Sequence, residues 1–136
     1  MLSIRYVQIE DKEFWYSLDR HLPEQEFVNK VSSKTGYILL DNGIPVGLMR
    51  YNLFWDTIPF CNLLYIKDAH QRKLCGTKLM EYWEADMKAK GYDRVITSTQ
   101  ANEEAQHFYR KLGYHECGGF ILEIGEPMEL IMTKKL

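Results

Sequence analysis

Hydrophobic and polar positions along the chain follow two periods, which together predict a mixed α/β protein. Strand-like patterns occupy residues 3–9, the run YILLDNGIPVGLMRYNLF, residues 60–67 and 94–99, and the segments GGFILEI and MELIMTK. Helical spacing of apolar residues follows Asp11 and Pro23 and recurs in residues 76–90 and 102–112. The predicted order is β-α-α-β-β-β-α-β-α-β-β, with one β-α-β crossover in the middle.

Local signals sharpen several of these elements. Asn42 and Gly43 lie between two apolar segments and predict a tight hairpin turn, because both residue types tolerate positive φ. Residues 55–59 are predicted to form a loop before the central strand. The third helix is predicted to bury a stripe formed by Leu79, Met80, Trp83 and Met87.

Composition fits one globular domain spanning residues 1–136, since 46% of the residues are hydrophobic. With 17 basic and 19 acidic residues, the chain lacks the broad positive footprint of a nucleic-acid-binding protein. The N-terminus has no signal-peptide pattern and no segment has the length of a membrane span, so we expect a cytoplasmic protein without membrane contact. The cysteines and histidines have no metal-ligand spacing, so no metal site is expected.

The stretch HQRKLCGTKLM, residues 70–80, joins a predicted strand to a predicted helix. Backbone N–H groups in the first turn of a helix have no partner within that helix and lie at the positive end of its dipole, so they can bind a phosphate. Arg72 and Lys73 would add positive charge. A glycine and a basic pair also occur in ordinary strand-to-helix turns, so these residues by themselves leave both interpretations open.

A second segment favours the phosphate site. The sequence NEEAQHFYRKLGY, residues 102–114, resembles the NxxAxxFYxKLGF helix of the GNAT superfamily, the acyl-CoA-dependent N-acetyltransferases. The pyrophosphate loop of that family, Q/R-x-x-G-x-G/A, corresponds to residues 71–76, with Gln71 and Gly76 in place. The resemblance covers essentially the whole chain, because the predicted order of strands and helices is also that of the family.

The resemblance implies an α/β (α+β) fold of the GNAT acyl-CoA N-acyltransferase type. Its central sheet would be mixed and mostly antiparallel, with a V-shaped splay between strands 4 and 5, and flanked by helices. Acetyl-CoA would be the cosubstrate, and backbone groups of Leu64, Tyr65 and Ile66 would pair with its pantetheine amides. The pyrophosphate would lie on the amides of Gln71, Arg72, Lys73, Leu74, Cys75, Gly76 and Thr77.

Three residues of the second segment have implied roles. Asn102 resembles the family asparagine that hydrogen-bonds the pantetheine arm, and asparagine is also a common N-cap, so both roles are compatible. Phe108 is assigned to the cofactor site, although packing of its helix against the sheet is the favoured reason for it. Tyr109 is assigned to the cofactor site as well and is the predicted catalytic residue, because a hydroxyl near the sulfur can protonate or stabilise the departing thiolate.

Two features depart from the family pattern. Leu74 stands where the first glycine of the loop is expected, and glycine serves there either for positive φ or for close approach of the ligand. If only close approach matters, Leu74 could turn outward and CoA would still bind; if positive φ is required, affinity should fall. No acidic residue lies in residues 58–66, so the general base is unassigned among Asp56, Glu26, His21 and ordered water.

The predicted function is therefore transfer of the acetyl group of acetyl-CoA to a primary amine, by direct attack in a ternary complex. The amine could be a small molecule or a peptide, and the protein a monomer or a homodimer. One alternative is a non-catalytic acyl-CoA-binding regulatory domain, motivated by Leu74 and the missing base. Another is a nucleotide-binding or phosphopeptide-binding module, which would bind ATP or phosphopeptides rather than CoA.

Overall fold

The computed structural model describes residues 1–71 and 74–136, which form seven strands and four α-helices. The strands are β1 (Leu2–Tyr6), β2 (Gly36–Asp41), β3 (Ile44–Phe54), β4 (Ile58–Ile66), β5 (Arg94–Gln100), β6 (His115–Phe120) and β7 (Glu129–Lys135). The helices are α1 (Lys12–Leu18), α2 (Glu24–Ser33), α3 (Cys75–Ala89) and α4 (Ala105–Lys111). Short 3₁₀ turns precede α1 and follow β4. None of the helices in the described ranges is long and apolar enough to cross a membrane.

The seven strands form one mixed sheet in the order β1-β2-β3-β4-β5-β7-β6. Strands β1 and β2, β2 and β3, β5 and β7, and β6 and β7 pair antiparallel, whereas β4 and β5 run parallel. The parallel ladder contains two residue pairs, Phe60 with Ile96 and Cys61 with Thr97. The predicted fold class, a mostly antiparallel mixed sheet that splays between strands 4 and 5, is thus confirmed.

The chain divides into two compact units. Unit 1 comprises Met1–Asn52 and Leu63–Trp83, and unit 2 comprises Leu53–Asn62 and Glu84–Leu136. The expectation of a single domain over residues 1–136 stays a prediction.

The core of unit 1 forms around two aromatic rings. Trp15 and Phe27 are fully buried, with ring centroids 5.8 Å apart. The Trp15 indole N–H donates to Asp19, whose fully buried carboxylate also pairs with Arg50 at 2.8 Å. The remaining buried residues of this core are Val7, Leu22, Ile38 and Leu48. This ion pair joins the end of α1 to strand β3, and its carboxylate is removed from solvent.

In unit 2 a carboxylate on α3 joins three segments. Glu84 accepts a hydrogen bond of 2.8 Å from the Tyr114 hydroxyl, and its other oxygen lies 2.7 Å from Lys134 Nζ. The Lys134 ammonium also lies 5.7 Å from the centroid of the Tyr114 ring. The result is a buried polar connection between α3, β7 and the residue that ends the KLGY motif.

Several sequence predictions are confirmed in detail. Asn42 and Gly43 have φ of 50° and 81° at the hairpin between β2 and β3, as a tight turn of this type requires. The predicted stripe of α3, Leu79, Met80, Trp83 and Met87, is completely buried.

Other boundaries differ from the predictions. The expected loop at residues 55–59 is instead a tight turn in which the Thr57 N–H donates to the Phe54 carbonyl, so β4 begins at Ile58. Strand β6 covers HECGGF rather than GGFILEI, because β7 begins at Glu129 opposite Phe120 and offers no partner to the residues beyond.

Helix α4 begins at Ala105 rather than near residue 102, because the preceding residues form a turn of their own. The Glu103 N–H donates to the Gln100 carbonyl, and the Gln106 side chain donates to the carbonyls of Ala101 and Glu103. The N-cap is Glu104, so the N-cap role considered for Asn102 is wrong.

Candidate active site

The predicted phosphate loop connects β4 to α3 in unit 1. After β4, a 3₁₀ turn covers Asp68–His70, and the Gln71 side-chain amide donates to the Ile66 carbonyl and to Asp68, both at 3.0 Å. Gln71 therefore fixes the start of the loop to the end of the strand. Arg72 and Lys73, the basic pair of the prediction, lie outside the described residues.

Leu74 has the backbone conformation that explains why a glycine is expected at its position. Its φ is +61°, in the left-handed region that leucine adopts only at a cost, and its side chain is 68% exposed. Of the two alternatives raised by the sequence, the position requires positive φ, and the side chain also turns outward. Leu74 thus combines backbone strain with an open approach to the start of α3.

The predicted phosphate site depends on the first-turn amides of helix α3. Among the described residues, the first backbone bond of this helix runs from the Lys78 N–H to the Leu74 carbonyl at 3.0 Å. The N–H groups of Gly76 and Thr77 precede this bond, where an α-helix has no carbonyl of its own to pair with them. Cys75 is buried, whereas Gly76 and Thr77 are half-buried. Because α3 is fifteen residues long, these amides also lie at the positive end of its helix dipole.

The predicted pantetheine segment is the second half of β4. Leu64 is half-buried, Tyr65 is 39% exposed and Ile66 is buried. Just after the strand, the Lys67 N–H donates to the Val46 carbonyl at 2.8 Å, which holds this end of β4 against β3. All three predicted residues follow the point at which the ladder between β4 and β5 ends.

Tyr109, in unit 2, lies at the end of that ladder. Its side chain is almost fully buried and lies against Thr97, whose hydroxyl donates to the Cys61 carbonyl at 3.2 Å. Burial raises the pKa of the Tyr109 phenol well above its ordinary value, the neighbouring Cys61 and Glu103 raise it further, and only the nearby Thr97 hydroxyl opposes them. The hydroxyl therefore keeps its proton throughout the neutral pH range and can act only as a protonated group.

The other two predicted residues of the second segment flank Tyr109. The Phe108 ring packs edge-on against that of Tyr109, with centroids 5.2 Å apart, which agrees with a packing role. Asn102 is exposed in the turn before α4, and within residues 1–71 and 74–136 its side chain has no hydrogen-bond partner. It therefore remains available for a ligand, as the resemblance implies.

The candidate bases have different surroundings. In unit 1, Glu26 accepts a hydrogen bond of 2.7 Å from the Asn29 side chain, and the His21 N–H donates to Asp19. In unit 2, Asp56 is exposed in the turn between β3 and β4 with φ of 60°. None of these contacts singles out a base, so the assignment stays open.

Sequence reasoning missed Thr97 and Cys61, which form the last pair of the ladder and contact Tyr109. The sequence RVITST predicted the strand but not which of its polar residues turns inward. Thr97 is 1% exposed. The burial of a threonine in a strand can be recognised only when the position of the neighbouring strand is known.

Comparisons with known proteins agree with this architecture. Residues 3–114 match the model of the acetyltransferase (GNAT) family. A search of curated proteins found no match. Among solved structures, Ard1 from Thermoplasma volcanium superposes with a TM-score of 0.87 at 15% identity, over 99% of this chain and 97% of that chain.

Two further structures share the fold. The ribosomal-protein-S18-alanine N-acetyltransferase from Escherichia coli has a TM-score of 0.82 at 18% identity, over 99% of this chain and 94% of that chain. Arabidopsis thaliana Naa50, in complex with the bisubstrate analogue CoA-Ac-MVNAL, has a TM-score of 0.80 at 14% identity, over 99% of each chain. At these identities the likeness concerns the fold, whereas the family model covers most of the sequence. The chain belongs to the acetyltransferase (GNAT) family.

Proposed function

We propose that this protein transfers the acetyl group of acetyl-CoA to a primary amine by direct attack in a ternary complex. The observation that carries the proposal is the buried, protonated hydroxyl of Tyr109, which lies against Thr97 where the parallel ladder ends. Membership of the family supports acetyl-CoA as the cosubstrate. The fold shared with an N-acetyltransferase and with a protein that binds a CoA–peptide analogue supports an amine acceptor.

The cofactor would be held mainly by backbone groups. In unit 1 the amides of Leu64, Tyr65 and Ile66 would pair with the pantetheine arm, as an added strand pairs with a sheet edge. The first-turn amides of Gly76 and Thr77, with the loop from Gln71 to Cys75, would bind the pyrophosphate. In unit 2, Asn102 and Phe108 are the residues that the family resemblance assigns to the cofactor. Backbone donors suit this task, because their direction is fixed by the strand and the helix before the ligand arrives.

In the reaction the neutral amine attacks the thioester carbonyl carbon, a C–N bond forms, the C–S bond breaks, and the electron pair leaves on sulfur. Tyr109 would stabilise that thiolate by donating a hydrogen bond. Complete proton transfer from Tyr109 is unfavourable, because its phenol holds its proton far more tightly than an ordinary thiol, whose pKa is about 8.5. The thiol proton would therefore derive from the attacking amine through solvent, and Tyr109 would act through charge stabilisation.

The test compares Tyr109→Phe with a matched variant, Tyr114→Phe. Both changes remove one buried hydroxyl in unit 2, but the Tyr114 hydroxyl binds Glu84 and has no proposed role in the reaction. We expect Tyr109→Phe to lower kcat about 10²-fold while leaving the Kd for CoA unchanged, as loss of a transition-state donor should do. Tyr114→Phe should keep kcat within about twofold and lose about 1–2 kcal/mol of stability.

A non-catalytic acyl-CoA-binding domain remains the competing proposal, and the strained Leu74 favours it. That alternative predicts CoA binding without thiol release for polyamines, amino acids, aminoglycosides and peptides alike. Thiol release with any of these amines, reduced in Tyr109→Phe but not in Tyr114→Phe, would exclude the regulatory alternative.

A further inference from the structure

A cavity of about 490 Å³ opens on one face of the sheet within unit 2. Strands β4, β5, β6 and β7 form its floor, and the aromatic side chains around it are Phe54, Trp55, Phe60 and Phe120. Its volume is in the range of small-molecule sites, which are mostly apolar with a few polar groups. Trp55 is 76% exposed and Phe120 44% exposed, so the aromatic rim is left in water unless a ligand covers it.

The turn that carries Trp55 gives no structural reason for a tryptophan. Trp55 and Asp56 have φ of 53° and 60°, and the Thr57 N–H donates to the Phe54 carbonyl, a geometry that asparagine and glycine adopt most easily. A bulky residue in the left-handed region of φ is strained. The exposed indole offsets little of this energy by packing, apart from its contact with Phe54 at 4.6 Å between ring centroids. A strained aromatic residue beside a cavity is the kind of outlier that points to ligand contact.

One positive charge lies at the edge of this apolar cavity. Arg94, the first residue of β5, donates one hydrogen bond of 2.7 Å to the Thr133 hydroxyl. No carboxylate in the described ranges, 1–71 and 74–136, pairs with it. A guanidinium has five N–H donors in a planar fork that matches a carboxylate. The charge of the cavity is therefore complementary to an apolar ligand that carries a carboxylate.

The cavity also borders the parallel ladder between β4 and β5. Phe60 and Ile96, which line it, form the ladder pair immediately before Cys61 and Thr97. Successive side chains of a strand point to opposite faces, so the cavity lies on the face of the sheet opposite to the hydroxyls of Thr97 and Tyr109. Arg94 lies two residues before Ile96 on β5, and its guanidinium reaches the hydroxyl of Thr133, the residue that pairs with Ile96 on β7.

We propose that the amine acceptor is an apolar aminocarboxylate that occupies this cavity; this inference rests on the proposed acetyl transfer. Its amine lies at the ladder end, its aromatic or branched aliphatic body contacts the Trp55 and Phe120 rim, and its carboxylate pairs with Arg94. This class includes ω-amino acids with an apolar spacer and dipeptides with apolar side chains.

Three probes separate the parts of this proposal: 4-(aminomethyl)benzoate has both groups, benzylamine lacks the carboxylate, and 4-methylbenzoate lacks the amine. We expect kcat/KM for acetylation of 4-(aminomethyl)benzoate to exceed that of benzylamine about tenfold, since charge-assisted hydrogen bonds are the strong ones. Arg94→Gln should remove this preference by raising KM. The control variant Arg20→Gln, which changes an exposed arginine outside the cavity, should retain it.

Binding can be followed without turnover. Trp15 and Trp83 are fully buried, so Trp55 is the only tryptophan in contact with water, and 4-methylbenzoate should change its emission. Trp55→Asn should lower the rate with 4-(aminomethyl)benzoate and yet unfold at a higher urea concentration than the wild type, because asparagine fits the turn better. Loss of binding together with a gain of stability would separate a ligand role from a structural one.

The possible failures are distinguishable. If kcat/KM is equal for benzylamine and 4-(aminomethyl)benzoate, and Arg94→Gln changes neither value, this inference is overturned while acetyl transfer still holds. Absence of acetylation for every amine, with 4-methylbenzoate still binding in an Arg94-dependent way, would instead overturn the proposed function and with it the role of acceptor.

Discussion

The backbone at Leu74 gives a quantitative prediction that two substitutions can test. A non-glycine residue in the left-handed region costs about 1–2 kcal/mol, which glycine does not incur. Glycine in turn loses about 0.4–1 kcal/mol relative to alanine through the greater freedom of its unfolded chain. With φ of +61° at this position, L74G should therefore be more stable than L74A by about 1 kcal/mol.

The side chain adds a smaller effect of known sign. Because Leu74 is 68% exposed, its removal forfeits only about a third of the roughly 1.5–3 kcal/mol that full burial of a leucine provides. The expected order of unfolding free energies is thus wild type close to L74G, with both above L74A. Since the same backbone would approach the pyrophosphate, L74G should also bind CoA more tightly than the wild type.

Urea unfolding of the three proteins measures this order, and a second position provides the control. Ala85 is exposed in the interior of α3, where Ala85→Gly should lower stability by about 1 kcal/mol. The preference for glycine over alanine is therefore expected to reverse between the two sites. If L74A is as stable as L74G, residue 74 does not hold a left-handed conformation in solution and the argument fails.

Further predictions concern the two units separately. Asp19→Ala should lower the stability of unit 1 by about 3 kcal/mol, measured by urea unfolding, because it leaves Arg50 and the Trp15 indole without their buried acceptor; a loss below 1 kcal/mol would mean that water replaces the carboxylate. Burial raises the pKa of Asp11, but its bonds with Arg5 and the Gln8 N–H outweigh this and hold it below the ordinary 3.8. A carboxyl whose pKa is lower in the folded than in the unfolded state stabilises the folded protein while it is ionised. The free energy of unfolding should therefore fall as pH drops below about 4, and in Asp11→Asn it should depend less on pH over this range. If the free energy of unfolding depends on pH as strongly in Asp11→Asn as in the wild type, Asp11 is not the group responsible.

Much of the fold is predictable from the sequence because the patterns are local. The Asn42–Gly43 turn requires positive φ at both residues, and the stripe of α3 requires only helical periodicity to identify its buried face. The order of elements and the motif of residues 102–114 then lead to the family. These features depend on residues close together in the chain, which is where periodicity and turn chemistry are informative.

The parts that were not predictable depend on partners distant in sequence. Strand β6 ends at Phe120 only because β7 begins at Glu129. The apolar pattern of FILEI does not indicate where the strand ends. The turn at Trp55 and Asp56 has neither glycine nor asparagine, so turn chemistry could not identify it. The cavity, likewise, combines residues from five strands and a turn, and Arg94 gave no signal on its own.

The central claim is tested most directly by incubating the protein with acetyl-CoA and 4-(aminomethyl)benzoate and measuring free thiol and acetylated amine together. We expect both products to form in equal amounts, with Tyr109→Phe slowing both about 10²-fold and Tyr114→Phe slowing neither. Free thiol without acetylated amine, or CoA binding without either product across the wider panel of amines, would contradict an N-acetyltransferase.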